Sequence, residues 1–334
     1  MNIPLPIRDC AESWPTARYV DLQPSAESFL GAVIDGLGAE QKSLPSKFFY
    51  DERGSRLFDR ICELPEYYPT RTEMALLADI APELRALVPQ GAELVEFGSG
   101  STRKVRILLD TVAAFTAYVS IDISGDYLRQ MASALACDYP ALDVLAVSAD
   151  YTQPIDLAHW EGCARPRVGF FPGSTIGNLT PQDAVAFLEN ARRILGPGGG
   201  FIVGADLKKD VGLLHAAYND AEGVTAAFNL NLLVRINSEL GGDFDLSAFR
   251  HRAHYDPDKG RIEMHLVSRR DQTARVNGHS FAFAEGETIH TENSHKYTVE
   301  EFQHIAERSG FTAQRAWTDE NELFSIHYLE VSSD

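Results

Sequence analysis

The chain has few cations for its size: its 334 residues carry 30 Lys and Arg against 48 Asp and Glu, a formal net charge of −18. A surface of that sign repels phosphate, which argues against a nucleic-acid or anionic-membrane partner and leaves small-molecule chemistry as the default. Cysteine is scarce as well. Cys10, Cys62, Cys137 and Cys163 lie far apart without any Cys-x-x-Cys spacing, so neither a zinc site nor a disulfide framework is suggested, and a reducing cytoplasm fits. No apolar run approaches bilayer-spanning length, and residues Met1 to Glu12 lack the apolar core of an export signal, so none is expected. Catalytic signatures are missing too: there is no P-loop, no Gly-x-Ser-x-Gly elbow, no His-Glu-x-x-His helix and no cysteine with a base beside it in sequence. His251 and His254 fall in one predicted strand at a spacing that sends them to opposite faces. With His265, His290 and His295 they read as surface or satisfied histidines, and no metal is expected.

What the chain does hold, at 44% hydrophobic residues, is enough apolar content for one large domain or two modest ones. Its organising stretch is Glu93-Leu94-Val95-Glu96-Phe97-Gly98-Ser99-Gly100-Ser101-Thr102-Arg103-Lys104, which reads as a buried strand, a glycine turn and a helix start. Arg103 stands where a dinucleotide fingerprint wants its third glycine, which disfavours a pyrophosphate cofactor. Glu96, two residues before Gly98, offers a carboxylate at the strand mouth to a positively charged part of a ligand.

From Glu93 to about Ala205, strands and helices alternate, the pattern of a parallel sheet with helices on both faces. The second strand, Ala117 to Ile123, carries Asp122 near its carboxyl end, either a ribose-binding acid or a capping one. The third, Asp143 to Ala149, ends at Asp150-Tyr151. Acids at three consecutive strand ends are poorly explained by chance. The fourth strand, Val168 to Phe171, enters Pro172-Gly173-Ser174-Thr175-Ile176-Gly177-Asn178-Leu179, where open α/β sheets place ligands. Asn178 has a donor and an acceptor for a carboxylate or amine; its alternative is a turn or cap residue. A helix to Leu195, the turn Gly196-Pro197-Gly198-Gly199-Gly200 and a strand from Phe201 to Asp206 complete the run.

The flanks differ. Residues to about Pro24 read as an arm or loop, Ser25 to Leu37 as an amphipathic helix, and Leu44 to Glu73 as an aromatic-rich segment. Phe48, Phe49 and Phe58 read as core, while Tyr50 and Tyr67 read equally as core or as site residues, since a phenol can pack and still hydrogen-bond. Between Lys208 and Glu292 the alternation breaks: a helical stretch runs through Leu213 to Val234, a hairpin joins Phe249–Tyr255 to Arg261–Ser268, and a further strand covers His279 to Phe283. A helix from Thr298 to Gly310 and a strand from about Leu323 to Val331 return to the sheet. Two lobes are therefore expected with a cleft between them, a sheet domain of residues 72–207 and 294–334 and a substrate-binding lobe of residues 1–71 and 208–293.

The Glu-x-Gly-x-Gly turn, the acids closing the second and third strands, and Leu-Gly-Pro-Gly-Gly before the fifth resemble the class I methyltransferases that use S-adenosylmethionine. That implies an α/β fold with a Rossmann-like sheet and a second, smaller α+β lobe. The likeness narrows further. Pro45-Ser46-Lys47-Phe48-Phe49-Tyr50-Asp51, Leu64-Pro65-Glu66-Tyr67-Tyr68-Pro69-Thr70-Arg71-Thr72-Glu73 and Gly173-Ser174-Thr175-Ile176-Gly177-Asn178 are similar to the histidine-specific N-alpha-methyltransferases of ergothioneine biosynthesis, over most of the chain from Leu44 onward. The resemblance implies that S-adenosylmethionine meets Glu96, Gly98, Gly100, Lys104, Asp122, Asp150 and Tyr151, and that L-histidine meets Tyr67, Asn178, Tyr218, Met264, Glu292 and Ser294. Tyr50 and Asn178 would orient the substrate amine. Met264 taken alone is a core methionine. Other outcomes of the same fold are a methyltransferase for another amino acid or a tryptophan-like substrate, a non-catalytic sensor of S-adenosylmethionine and an amino acid, and a nicotinamide dehydrogenase. Oligomeric state leaves no readable mark.

Overall fold

The computed structural model describes residues 17–22, 29–100, 102–155 and 165–332. Ser101, the first turn of the helix expected from Ser25, and Cys10 and Cys163 lie outside them. The first half of the chain gives β1 (Arg18–Asp21), α1 (Phe29–Gly38), α2 (Glu52–Glu63), α3 (Tyr68–Leu87), β2 (Ala92–Phe97), α4 (Arg103–Val112), β3 (Phe115–Asp122), α5 (Gly125–Asp138) and β4 (Asp143–Ser148). Then come β5 (Arg167–Phe171), α6 (Pro181–Leu195), β6 (Gly200–Asp206), α7 (Val211–Tyr218), α8 (Val224–Leu240), β7 (Phe249–Asp256) and β8 (Arg261–Ser268). The chain closes with β9 (Gln272–Val276), β10 (His279–Phe283), β11 (Thr288–His295), α9 (Val299–Arg308), β12 (Phe311–Thr318) and β13 (Phe324–Val331).

An eight-stranded sheet runs in the order β1-β4-β3-β2-β5-β6-β13-β12. Its strands all run the same way except β13, which pairs antiparallel with β6 on one side and with β12 on the other. Strand order reverses between β2 and β5, and such a switch point opens a crevice at the carboxyl ends of the strands. Both faces are covered. Leu77 and Leu84 of α3, Leu108 of α4 and Leu128 and Leu135 of α5 pack on one side; Phe187 and Leu188 of α6 and Phe302 of α9 pack on the other. This double covering is why β2 and β6 are buried at every residue and why β6 reads as a nearly unbroken apolar run.

A third core joins the N-terminal helices to the insertion. Val33, Leu37, Phe49, Ile61 and Tyr67 pack with Tyr218, Phe228, Leu232, Leu266 and Ile289. It is walled by the antiparallel sheet β11-β8-β7 and the pair β10-β9. Two buried amides tie α8 to its surroundings: Asn231 donates to Asp51 Oδ1 at 2.7 Å, and Asn229 to the His265 carbonyl at 3.2 Å. Asp51 also caps α2 by accepting from Gly54 N at 2.7 Å.

Several expectations are corrected. The arm to Pro24 contains β1, which pairs parallel with β4 and carries an Arg18–Asp143 ion pair at 2.9 Å; four mostly exposed residues were too few to show alternation. The helical stretch from Leu213 onward is two helices. The Asp220 carboxylate accepts from Val224 N and Thr225 N, and Gly223 has φ +72°, so the chain turns before α8 begins. β9 and β12 were not anticipated. The first was readable from Asn277-Gly278, whose φ values of +46° and +83° suit a two-residue hairpin. Cys62, one of the four cysteines, is free. Among the described residues no helix is long and apolar enough to cross a membrane.

Candidate active site

A cavity of about 650 Å³ lies between the carboxyl ends of the large sheet and the third core. That size accommodates a cofactor and a small substrate together. All the residues expected at the site line it, from Tyr50, Tyr67, Glu96, Gly98, Gly100 and Lys104 through Asp122, Asp150, Tyr151 and Asn178 to Tyr218, Met264, Glu292 and Ser294.

On the sheet side, Gly98 turns the chain out of β2 at φ +73°, a conformation that side chains resist, and a Cβ there would lie 3.4 Å from the Tyr151 ring. Glu96 is 1% exposed. It accepts from Tyr118 and, at 3.2 Å, from Ser99, and burial pushes its carboxyl up to about 7 despite those bonds and the nearby Lys104. Lys104 pairs with Glu73 Oε2 at 2.5 Å, and Glu73 accepts from Gly173 N at 2.8 Å. Glu73 thus joins the cation of α4 to the loop after β5. Asp122 accepts from Ser124 N at 2.8 Å, and burial raises it above the usual carboxylate range. Ser124 in turn donates to the Tyr50 carbonyl at 3.0 Å, linking the two sides of the cleft. Asp150 Oδ1 takes Thr152 N and Oγ1 at 3.0 and 2.6 Å, while Lys47 reaches its other oxygen at 3.4 Å.

Asn178 ends a short 3₁₀ turn, Thr175–Asn178, which is fixed from two directions. Ser174 Oγ accepts from Asp206 N at 2.9 Å, and His295 Nδ1 lies 2.9 Å from the Gly177 carbonyl.

The opposite wall depends on a β-bulge. In β11, His290 pairs with His265 but Glu292 pairs with Met264, so Thr291 and Glu292 together oppose one residue. Regular pairing would have put Glu292 on the face of His290, opposite Glu263. The extra residue moves it to the face of Met264, and Ser294 follows, opposite Ile262. Burial raises Glu292 to about 7, against the lowering field of Lys296. Tyr218 donates to Ser294 at 2.7 Å.

Aromatic rings close the space between the walls. Tyr50 meets Phe58 and Phe228 edge-on at centroid distances of 5.7 and 5.8 Å, and Tyr67 meets Phe58 and Tyr218 edge-on, each at 6.3 Å. Burial lifts the Tyr50 and Tyr67 phenols well above their ordinary range, so both stay protonated. Phe228, Glu73, Tyr118 and Lys296 went unnoticed in the sequence. Phe228 alone had a local signal, an aromatic beside Asn229 and Asn231 in the otherwise apolar stretch Phe228 to Val234.

One metal-like group forms across strands, which spacing along a single strand did not reveal: His254, Glu263 and His265. Its carboxylate is already committed, since Arg261 Nε and Lys259 Nζ both lie 3.0 Å from Glu263 Oε1. Those two cations oppose a third positive charge. Burial holds His265 down to about 4, so it is neutral beside them.

A glycine turn at the switch point of a Rossmann-like sheet, flanked by strand-end acids but lacking the third glycine of a pyrophosphate site, defines an α/β enzyme that binds a nucleoside-bearing cofactor. Residues 29–331 match the family model described as "Histidine-specific methyltransferase, SAM-dependent", and the chain belongs to that family. It is 41% identical to the histidine N-alpha-methyltransferase of Mycolicibacterium smegmatis over 309 residues, covering 91% of this chain and 95% of that one. It is 39% identical over 303 residues to the protein of the same name from Mycobacterium tuberculosis, covering 88% and 92%. Ergothioneine biosynthesis protein 1 of Neurospora crassa is 30% identical over 310 residues, 87% of this chain but 33% of that longer protein.

Proposed function

We propose that this protein transfers methyl groups from S-adenosylmethionine to the α-amine of L-histidine, three times in succession, giving the trimethylated betaine that opens ergothioneine biosynthesis. The observation that carries this reading is Glu292, a carboxylate turned into the cavity by the bulge at Thr291 and raised to about 7, next to Ser294. An imidazole has both the N–H that such a carboxylate accepts and a second ring nitrogen for a hydroxyl. An indole has no second nitrogen.

The cofactor end fits the residues present. The left-handed Gly98 leaves room for close backbone approach, and the acids at the ends of β2, β3 and β4 line the same cavity. Asp122 would take the ribose hydroxyls, Asp150 and Tyr151 the adenine, and Glu96, Gly100 and Lys104 the charged amino-acid portion. Bound there, the cofactor supplies an activated methyl on a sulfonium, a leaving group that needs no metal to assist it.

The chain's own task is alignment. Asn178 and Tyr218 would hold the substrate carboxylate, Glu292, Ser294 and Tyr67 the ring, and Met264 would pack beneath it. The α-amine is then left facing Tyr50 and Asn178. Tyr50 stays protonated, so it cannot act as a base; its oxygen and the Asn178 carbonyl accept N–H groups and aim the lone pair. Water removes the proton before each transfer. The growing cation would face Tyr50, Phe58 and Phe228, whose ring faces favour positive charge.

The division of labour we propose assigns residues 72–207 and 294–334 to the cofactor and 1–71 and 208–293 to the substrate, with β1 as an exception on the large sheet's edge. A cytoplasmic enzyme acting on small molecules is part of the same reading. Incubating the protein with S-adenosylmethionine and each amino acid in turn, followed by mass spectrometry, tests it. Histidine should gain three methyl groups; no mass gain on histidine overturns the reading.

A further inference from the structure

Lys296 sits directly behind the substrate wall. Its side chain is 1% exposed, and its ammonium contacts Asp206 Oδ2 at 2.6 Å, Ser294 Oγ at 2.9 Å and Tyr218 Oη at 3.0 Å. Three acceptors meet three N–H donors, so the group is fully used. The charge is balanced from beneath. Asp206 also pairs with Lys209 and accepts from Tyr68 at 2.9 Å, and this cluster holds the carboxylate below its ordinary range against the opposing effect of burial. An ion pair so well enclosed is costly to build, and hydrophobic residues of similar volume would hold the fold as well.

An ammonium can only donate. Both hydroxyls must therefore accept from Lys296, and their own protons are directed elsewhere. Tyr218 donates to Ser294, which fills the second lone pair of Ser294 Oγ, so the Ser294 proton has to leave toward the cavity. Two residues earlier on the same face of β11 stands Glu292, an acceptor when ionised. The wall thus has a polarity, donor at Ser294 and acceptor at Glu292.

We propose that Lys296 is a positioning residue that makes the Tyr218–Ser294 pair a proton donor toward the substrate, so that the pocket selects a neutral ring with a lone pair on one nitrogen and an N–H on the other. This rests on the proposed reading of the site and names how one tautomer of the ring is chosen. A substrate carboxylate that takes the Tyr218 proton frees one lone pair of Ser294, but Lys296 still donates to both oxygens, so Tyr218 Oη is already accepting and the Ser294 proton keeps the ring nitrogen as its acceptor. The groups facing Glu292 are the charged Lys296 and the neutral, titratable phenols of Tyr50, Tyr67 and Tyr218.

The test compares Lys296→Met and Lys296→Gln with the unsubstituted protein, using histidine and pyrrol-3-ylalanine, whose ring keeps an N–H but has no second nitrogen. Loss of charge-assisted hydrogen bonds should raise the histidine KM of Lys296→Met about 10- to 100-fold, with kcat and the cofactor KM each within about twofold. The preference for histidine over the pyrrole analogue should fall about tenfold in the same variant. Lys296→Gln, which keeps N–H donors without the charge, should recover part of both losses. A merely structural lysine would not alter that ratio. Should Lys296→Met fail to fold, Asp206→Asn/Lys296→Met removes both charges together and is assayed instead; failure of that protein to fold makes Lys296 a stability residue and overturns the proposal. A histidine KM within threefold of the unsubstituted value, or an unchanged substrate ratio, overturns it too. If the unsubstituted protein leaves histidine unmethylated, the reading of the whole site falls first, which is a distinguishable result.

Discussion

Replacing Glu292 with glutamine should stabilise the protein and disable it at once. Burial in the cavity wall raises this carboxyl from an ordinary 4.5 to about 7. Because the folded value is the higher one, the folded chain keeps a proton that the unfolded chain has already released. Stability therefore falls as pH rises from 4.5 to about 7, and above 7 the full penalty applies. At about 1.4 kcal/mol per pH unit the upper bound is about 3 kcal/mol, and water in the cavity reduces it to about 1–3 kcal/mol. Glutamine fills the same volume without a charge to desolvate. Thermal unfolding of the two proteins at pH 8 and pH 5.5 should then differ in a definite way: Glu292→Gln gains a few degrees at the higher pH and clearly less at the lower. In the same variant kcat/KM for histidine should drop about 10- to 100-fold, since a charge-assisted bond to the ring N–H becomes a neutral one. A midpoint that does not rise at pH 8, or a gain identical at both pH values, would refute the placement of a strained carboxylate here. Activity within threefold of the unsubstituted protein would refute its role on the ring.

Three further outcomes are expected. Asp122→Ala should raise the cofactor KM about 10- to 100-fold through loss of a carboxylate that accepts from two hydroxyls, and leave the histidine KM within about threefold. Gly98→Ala places a side chain at φ +73°, 3.4 Å from Tyr151, so it should destabilise by about 1–2 kcal/mol and weaken cofactor binding measured by calorimetry. Phe228→Leu keeps an apolar filling but removes a ring face from the box around Tyr50; time courses by mass spectrometry should show the dimethylated product accumulating, with the last transfer slowed up to about tenfold.

The cofactor half of the site was legible because its residues are consecutive with the strand ends that hold them. Glu96, Gly98, Asp122 and Asp150 each follow an apolar run, and the rule that ligands bind beyond the carboxyl ends of such strands puts them at the crevice, although their assignment to a cofactor also came through resemblance. The substrate half was legible only through resemblance. Tyr67, Asn178, Tyr218 and Glu292 come from an N-terminal helix start, a 3₁₀ turn, the end of α7 and a bulged strand, and no local pattern relates them. The bulge is the clearest case. Nothing in Ile289-His290-Thr291-Glu292 announces that Thr291 is the extra residue, yet without it Glu292 would lie on the far face. Glu73, Tyr118 and Lys296 were invisible for a related reason. Each contacts a ligand-facing residue from a different element, so its role exists only after the sheet and the insertion have come together.

Five acids at or behind the cavity fall into two groups. Glu73 and Asp206 are each paired with a lysine, and Asp206 is held below its ordinary range. They fix the loop after β5 and the base of the substrate wall, so they need no ligand to be content. Glu96, Asp122 and Glu292 are raised by burial and lack a cation in direct contact among the described residues. A carboxylate left in that state is destabilising, and folding alone gives no reason to keep it. On the proposed reading, what relieves it is a ligand that brings hydrogen-bond donors: an ammonium group at Glu96, ribose hydroxyls at Asp122, a ring N–H at Glu292. Part of the affinity for cofactor and substrate would then come from compensating these carboxylates. Saturating cofactor and histidine together should raise the unfolding midpoint by more at pH 8, where these acids are ionised without a paired cation, than at pH 5.5, where protons already occupy much of Glu96 and Glu292. Equal rises at the two pH values would mean that the acids are satisfied from within the protein, and the link between under-compensated carboxylates and ligand position would fail.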